Sequence, residues 1–417
     1  MCQKSKILVI VTIFPSVTET FILNQITDLI DRGNDVTVFA YNKSNDSIIH
    51  QLFLDYNLEK RTITHFKNQK TKWLVCKEAF IFFRKYRKKI DFSKVFFLLN
   101  PFSIGINKKK IKVYYDLPVL LFKESFDVVH CHFGYNGKKI ADAYQIGICK
   151  YPKAILSFHG SDLTPSKVEL YKNLYKDVFK FFNAFTINSI YLQEVLLKIN
   201  PQLKNYYLIP EGFKKQYLQP YLQVKKEESF FKIVYCGRLI NWKGPDRALR
   251  FIKVMVDSGL MNLQLHIIGN GEMKQELLIL ASQLKIENYV VFHGAITQEN
   301  VFKIMASSSV FLLPGIADKQ TQRSEAQGLV LQEAQYFKLP VITSNVGGIK
   351  YGMIPNETGF LIESENEQEF VEKLIFLYKN PQLIEEMGKK GHEFVLTEFE
   401  SKIIGDRLTN AYHDMIQ

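Results

Sequence analysis

Two carboxylates with seven residues between them, Glu325 and Glu333 in RSEAQGLVLQEAQYF (323–337), bracket a glycine and the start of an apolar helical pattern. A helix N-terminus presents unpaired N–H groups and about half a positive charge. Backbone near Gly328, Leu329 and Val330 would therefore grip a diphosphate or sugar hydroxyls, and a carboxylate one turn later would suit the two hydroxyls of a ribose. A helix-start acid followed by a solvated one gives the same pattern, so spacing alone leaves both open. A second stretch, YCGRLINWKGPD (235–246), ends a strand at Gly237 and follows it with Arg238 and Lys243 before Gly244-Pro245 opens a helix. A planar guanidinium and a point-charge ammonium at a strand end suit a phosphate leaving group; two solvated surface cations are the plainer alternative.

The opening stretch VTIFPSVTETFILNQ (11–25) poses a different question. A strand, a short loop and a helix usually hold phosphate on a glycine-rich loop, yet this loop carries Thr18, Glu19 and Thr20 and no glycine. Either these three line a cleft and meet substrate, or Ser16 and Glu19 form a capping box for a helix over Phe21–Arg32. The histidines are isolated or alternate as in His130-Cys131-His132, on one side of a strand, which is a weak metal pattern. No Asp-x-Asp pair is present to hold a divalent ion on a diphosphate, so the chemistry is expected to need no metal, with Arg238, Lys243 and helix dipoles supplying the positive charge.

Elements must position these groups. KILVIVTIF, DVTVFAY, FDVVHCHFG, AILSFHGSD, AFTINSI and YYLIPEGF read as buried strands in the first half, and KIVYCGRL, LQLHIIGNGE, VVFHGAI, SVFLLPG, PVITSNVGG and GFLIE in the second. Helical stretches separate them. Strand alternating with helix twice over predicts an α/β chain with two Rossmann-like, doubly wound parallel sheets facing a cleft, and the unusual residues sit at the carboxyl ends of strands, where such sheets bind ligands. The 417 residues divide into an acceptor-side domain (1–217) and a donor-side domain (218–397), with a last helix near 398–417 able to cross back. Five scattered cysteines without a C-x-x-C, no secretory h-region and no long apolar run predict a reducing, cytoplasmic setting.

The motifs taken in order, GRL-x-x-x-KG, IIGNGE, VVFHG, E-x7-E with an internal glycine, PVITSNVGG and ETGFLI, resemble the donor half of glycosyltransferase family 4. FPSVTETFILNQ, DVVHCHFG, SFHGSD and LIPEGF resemble its first half, especially members from exopolysaccharide and lipopolysaccharide clusters. The resemblance implies the GT-B fold and a retaining transfer from a nucleotide-sugar donor. Position by position it implies that Arg238 and Lys243 neutralise the departing diphosphate, Glu333 holds the ribose and Glu325 the transferred sugar. It also implies that the amides of Gly328, Leu329 and Val330 bind sugar and phosphate, and that Gly237, Gly269, His293 and Gly294 border the donor. His159 would stand beside the anomeric centre, with Asp162 and His132 nearby. Front-face transfer and a covalent Glu325 intermediate both fit the residues. Departures fall at Ala326, where a glycine commonly follows the first Glu, at Lys350-Tyr351 in place of Pro-Glu, and at Glu211, a position often Asn or small.

Charge is uneven: residues 1–217 hold 33 Lys and Arg against 18 Asp and Glu, a net +15, and the remainder carries −3. The basic, aromatic region 73–112 places Trp73, Cys76, Ala79, Phe80, Phe83, Tyr86 and Ile90 at helical spacing among cations. It suits an anionic membrane surface and an acceptor on a polyprenyl diphosphate; a helix packed on the domain with a solvated basic face is the alternative. No nucleic-acid reader motif accompanies the charge. The expected protein is a peripheral enzyme on the inner face of a bacterial cytoplasmic membrane, adding a sugar to a lipid-linked saccharide; a nucleotide-sugar 2-epimerase and an inactive scaffold are the competing readings.

Overall fold

A computed structural model describes residues 4–16, 19–44, 50–65, 72–99, 116–147, 153–224 and 229–416. Thr18 and residues 100–112 of the basic region lie outside them. Seven parallel strands form the first sheet: β1 (Lys6–Phe14), β2 (Asp35–Lys43), β3 (Thr62–Thr64), β4 (Val128–His132), β5 (Lys153–Phe158), β6 (Ala184–Ile187) and β7 (Tyr206–Leu208), in the order β3-β2-β1-β4-β5-β6-β7. Six more form the second: β8 (Phe231–Cys236), β9 (Leu263–Ile268), β10 (Val290–Gly294), β11 (Val310–Leu313), β12 (Val341–Ser344) and β13 (Gly359–Ile362), in the order β10-β9-β8-β11-β12-β13.

Both orders are doubly wound. The chain first moves outward from β1 or β8, then returns to pair β4 on β1 and β11 on β8. Connections leave on opposite faces at these two points, so a crevice opens beyond the strand ends there. Continuous apolar runs such as ILVIV in β1 arise because helices cover both faces: Ile7, Leu8, Val9, Ile10 and Val11 are all within 1% of complete burial.

The helices that matter below are α1 (Thr20–Asp31), α2 (Lys72–Tyr86), α3 (Phe92–Leu99), α4 (Pro245–Asp257), α5 (Gln298–Ala306), α6 (Leu329–Tyr336) and α7 (Ser401–Ile416). The last, α7, does not lie with the second sheet. Its Leu408, Ala411, Tyr412 and Met415 are buried in the same cluster as Ile7 and Val9 of β1 and Ile22 and Ile26 of α1. Gly405 lets it approach α1 closely, where Arg32 bonds Asp28 Oδ2 at 2.7 Å, Asp406 Oδ1 at 2.7 Å and the Lys402 carbonyl at 2.7 Å. A helix that ends the chain thereby ties the two sheets together.

Two expectations need correction. The capping box at the first helix is not made: α1 starts at Thr20 with Glu19 in the capping position and no side-chain capping bond. Of the stripe read at helical spacing in and after α2, Ala79, Phe83 and Tyr86 pack against the core and Ile90 is buried, while Phe80 is 67% exposed and Phe82, outside the stripe, is 5% exposed. Phe82 joins the packed face because it and Tyr86 meet Phe122, which itself follows a short helical turn over Pro118–Leu121.

Candidate active site

At the carboxyl ends of β8, β9 and β10 the chain is packed backbone to backbone. Gly237 N–H donates to the Ile268 carbonyl (3.0 Å) and Gly269 N–H to the Gly294 carbonyl (2.9 Å). Gly269 has φ +134°, and a Cβ on it would stand 1.9 Å from the Gly237 carbonyl oxygen. No side chain fits there. Gly269→Ala is expected to pry β8 from β9 and lower unfolding free energy by about 2–4 kcal/mol, which urea denaturation reads directly.

Beyond Gly237, Arg238 is exposed and makes no ion pair among the described residues. A single helical turn over Asn241–Lys243, stopped by Gly244 in the left-handed region, turns the chain into α4 and sets Lys243 beside the strand ends. Its ammonium is paired with Glu325, the two side chains being 13% and 18% exposed, and lies over the Trp242 ring at 5.3 Å. The Arg323 guanidinium reaches the same ring at 6.0 Å, a third cation whose position sequence pattern did not reveal.

Gly328, with φ +81°, caps α6. Leu329 and Val330 are its first residues, so their N–H groups have no carbonyl four residues back within the helix. Glu333 follows on the next turn, partly buried, and burial pushes its carboxyl up to about 7 against a smaller opposing effect of the Gln298 side chain at the start of α5. Cys236 closes the group: burial and then the Glu333 charge push its thiol up to about 12. Lys243, Glu325, Gly328 and Glu333 thus surround one strand end. His293, half-buried near the end of β10, has its Nε2 facing His266 Nδ1 at 2.9 Å with the rings stacked 5.1 Å apart.

The opposite wall is a histidine cluster. His159 lies between His132 Nδ1, 2.9 Å from its Nε2, and Glu211 Oε1, 3.1 Å from its Nδ1. Phe21 and Phe133 flank its ring at 4.7 and 4.9 Å. His130 stacks on His132 at 4.6 Å and bonds Tyr412 and Ser157 at 2.7 and 2.6 Å. Burial pushes His130 down to about 3 and His132 well below the usual imidazole range, so both are neutral. Glu19 turns inward beside this group: burial raises its carboxyl, His159 opposes and Glu211 reinforces that shift. One of its oxygens is buried without a partner. Thr20 is the first residue of α1.

Two residues assigned to an acceptor face lie deeper. Asp162 is fully buried and accepts the backbone N–H groups of His159, Gly160 and Gly134 at 3.0, 3.1 and 2.7 Å, so it builds the loop that presents His159. His132 is 1% exposed and acts behind His159. A cavity of about 40 Å³ lies there, lined among others by Asn24, His132, Thr186, Asn188, Glu211 and Ser401.

The walls meet directly. Gln327, between the two donor-side carboxylates, bonds both backbone groups of Glu211: Glu211 N–H donates to its Oε1 (2.6 Å) and its Nε2 donates to the Glu211 carbonyl (2.8 Å). Sequence reading singled out neither partner for this contact. Among the described residues no group of three His, Cys, Asp or Glu side chains is placed to hold a metal ion.

Residues 222–394 match the family model described as glycosyl transferases group 1. The chain is 24% identical over 405 residues to WcaL of Escherichia coli K12, a candidate colanic acid biosynthesis glycosyltransferase, covering 95% of this chain and 97% of that one. It is also 24% identical to the amylovoran biosynthesis glycosyltransferase AmsK of Erwinia amylovora, covering 94% and 95%. Its fold matches that of Anabaena HepE, solved in complex with UDP-glucose, with a TM-score of 0.68 at 15% identity over 98% of this chain and all of that one. Two facing doubly wound sheets, a group 1 donor half and relatives along nearly the full length give one conclusion: the chain is a glycosyltransferase of the GT-B fold whose residues 222–394 match the glycosyl transferases group 1 family.

Proposed function

We propose that this enzyme transfers a hexosyl group, with retention, from a UDP- or GDP-sugar to a lipid-linked saccharide during synthesis of a bacterial surface polysaccharide. The observation that carries the reading is the convergence of Lys243, Arg238, the α6 N-terminus and Glu333 on the end of β8. Cations and a helix dipole there lower the cost of the charge that develops on a leaving diphosphate. The names of WcaL and AmsK support the polysaccharide, and the HepE complex supports a uridine nucleotide.

The step itself balances simply. The acceptor hydroxyl oxygen bonds to the anomeric carbon on the face from which the diphosphate departs. The carbon–oxygen bond to the β-phosphate breaks with its electron pair on the phosphate, which takes the hydroxyl proton. Glu325 holds the sugar, and Lys243, its ion-pair partner in the unliganded protein, is the cation offered to the departing diphosphate. His159, fixed by Glu211 and His132, borders the reacting centre from the other domain. No metal ion is assigned to the step.

A lipid acceptor is supported by the surface of α2 and α3. Phe80 and Phe96 are 67% and 71% exposed, Ile81 and Phe92 about half, amid exposed Arg84, Lys85, Arg87, Lys88 and Lys89. Aromatic insertion combined with cations near an anionic leaflet gives peripheral binding. No helix among the described residues is long and apolar enough to cross a membrane. The protein is expected to float with phosphatidylglycerol vesicles at low salt, and Phe80→Glu with Phe96→Glu to cut the bound fraction at least tenfold. Wild-type protein that stays at the bottom of the gradient would remove the membrane arm. A panel of UDP- and GDP-sugars, assayed for nucleotide release with and without lipid-linked saccharide, tests the transfer. Acceptor-dependent release is expected; isomerisation without acceptor would instead identify an epimerase.

A further inference from the structure

Two of the departures from the family pattern, Ala326 and Glu211, fall together with Gln327, the residue beside Ala326, along one seam between the domains. Gln327 is 3% exposed and its amide satisfies the N–H and the C=O of Glu211 together, as a neighbouring strand would. Glu211 is held from behind as well: Asn24 Nδ2 donates to the Gly212 carbonyl at 2.9 Å, and Gly212 is packed against the Phe399 carbonyl and Ile404. With its backbone fixed on both sides, its carboxylate has one aim. Oε1 accepts from Asn188 Nδ2 (2.9 Å) and from His159 Nδ1 (3.1 Å). A carboxylate only accepts, so this contact puts a proton on His159 Nδ1 and turns Nε2 toward His132.

The loop that carries Gln327 is equally constrained. Gly348 N–H donates to the Glu325 carbonyl at 2.8 Å, and a Cβ on Gly348 would stand 1.7 Å from the Ala326 carbonyl oxygen. From the other domain, a Cβ on Gly160 would meet the Ala326 methyl at 2.8 Å. Gly160 neighbours His159. Two peptide units therefore separate a carboxylate paired with Lys243 from an amide that grips the other domain, and neither end shifts without the other.

We propose that Gln327 is a positioning residue: through Glu211 it makes the setting of His159 depend on the seating of the same loop that presents Glu325. The proposal rests on the reading of Glu325 as donor-side and His159 as acceptor-side. Its consequence is that the histidine is aligned only when the donor loop is docked on the first domain, so the two walls are set together.

Histidine-selective ¹⁵N labelling of the full chain gives a readout independent of turnover, with the His159 signals assigned by their loss in His159→Asn. Wild-type protein is expected to show His159 protonated on Nδ1. Gln327→Ala, and Gln327→Met, which keeps the volume of the side chain, are expected to move it toward the Nε2 tautomer, and Glu211→Gln is expected to do the same. An unchanged His159 pattern in both Gln327 variants overturns the proposal. With any UDP- or GDP-sugar that proves a donor, Gln327→Ala is expected to lower kcat at least tenfold with donor KM within threefold, and to cost nothing further in a His159→Ala background. An equal loss in both backgrounds shows a merely structural role and also overturns it. If no sugar nucleotide turns over, the functional reading fails while the tautomer result still decides this one.

Discussion

Replacing Lys243 with alanine is expected to lower kcat/KM roughly 10³-fold, the size of effect seen when a preorganised group aimed at developing transition-state charge is removed. The ammonium sits at the end of a helical turn whose exit is fixed by Gly244: a Cβ there would lie 2.2 Å from the Pro314 carbonyl oxygen. The turn cannot rebuild around a different residue, so no neighbour supplies the missing charge at the same place. Arg323 stands across Trp242, but its guanidinium is 6.0 Å from that ring and belongs to the loop before Glu325. Arginine at 243 is expected to restore little, because a planar fork does not reproduce a compact point charge. The substitution also leaves the partly buried Glu325 carboxylate without its cation, which costs about 1–2 kcal/mol of stability. Steady-state kinetics together with a melting curve separates the two effects: a loss of kcat/KM under tenfold at unchanged Tm would show that Lys243 is not at the leaving group.

Glu333→Gln is expected to trade affinity for stability in a pH-dependent way. Burial raises the carboxyl from 4.5 to about 7. A group raised in the folded state favours folding fully below its unfolded pKa, and that contribution is lost as pH rises through the folded value. A difference of about 2.5 pH units corresponds to roughly 3 kcal/mol. At pH 8 the glutamine variant, with no charge to bury, is therefore expected to be more stable than wild type by up to about 3 kcal/mol. Below pH 4.5 the advantage is expected to vanish. Binding runs the other way. An ionised carboxylate accepts hydroxyl hydrogen bonds more strongly than a neutral one, so wild-type donor KM is expected to rise roughly fivefold from pH 8 to pH 6, with a midpoint near 7. The glutamine variant is expected to lose that midpoint. Paired denaturation and KM profiles check both arms, and parallel profiles for the two proteins would remove Glu333 from the donor site.

The strands were legible because both faces of each parallel sheet are covered, so runs such as ILVIV and IVYC are continuous. β3 escaped notice: three residues, Thr-Ile-Thr, with only Ile63 buried, leave no pattern. The helix start between Glu325 and Glu333 was legible from the apolar pattern that begins after Gly328. The inward turn of Phe82 in α2 was not legible, because it is set by Phe122, 40 residues away, while Ala79, Phe83 and Tyr86 pack inward at the spacing read. Asp162 illustrates another limit. Its place after His159 and Gly160 suited a cleft, but a short acidic side chain serves equally to gather backbone N–H groups, and here it gathers three. Contacts across the seam lie furthest from sequence. Gln327 and Glu211 are 116 residues apart, and their meeting depends on how two independently folded sheets face each other.

Two fixed cations at the end of β8, and not an ion borrowed from solution, are what this account asks to receive the expelled diphosphate. A crystal structure of the protein with UDP bound measures that most directly. The expected result is Lys243 released from Glu325 and bonded to a β-phosphate oxygen, with the Arg238 guanidinium on the same group and the ribose hydroxyls on Glu333. Diphosphate bound elsewhere, with the Lys243–Glu325 pair intact and Arg238 directed into solvent, would contradict it.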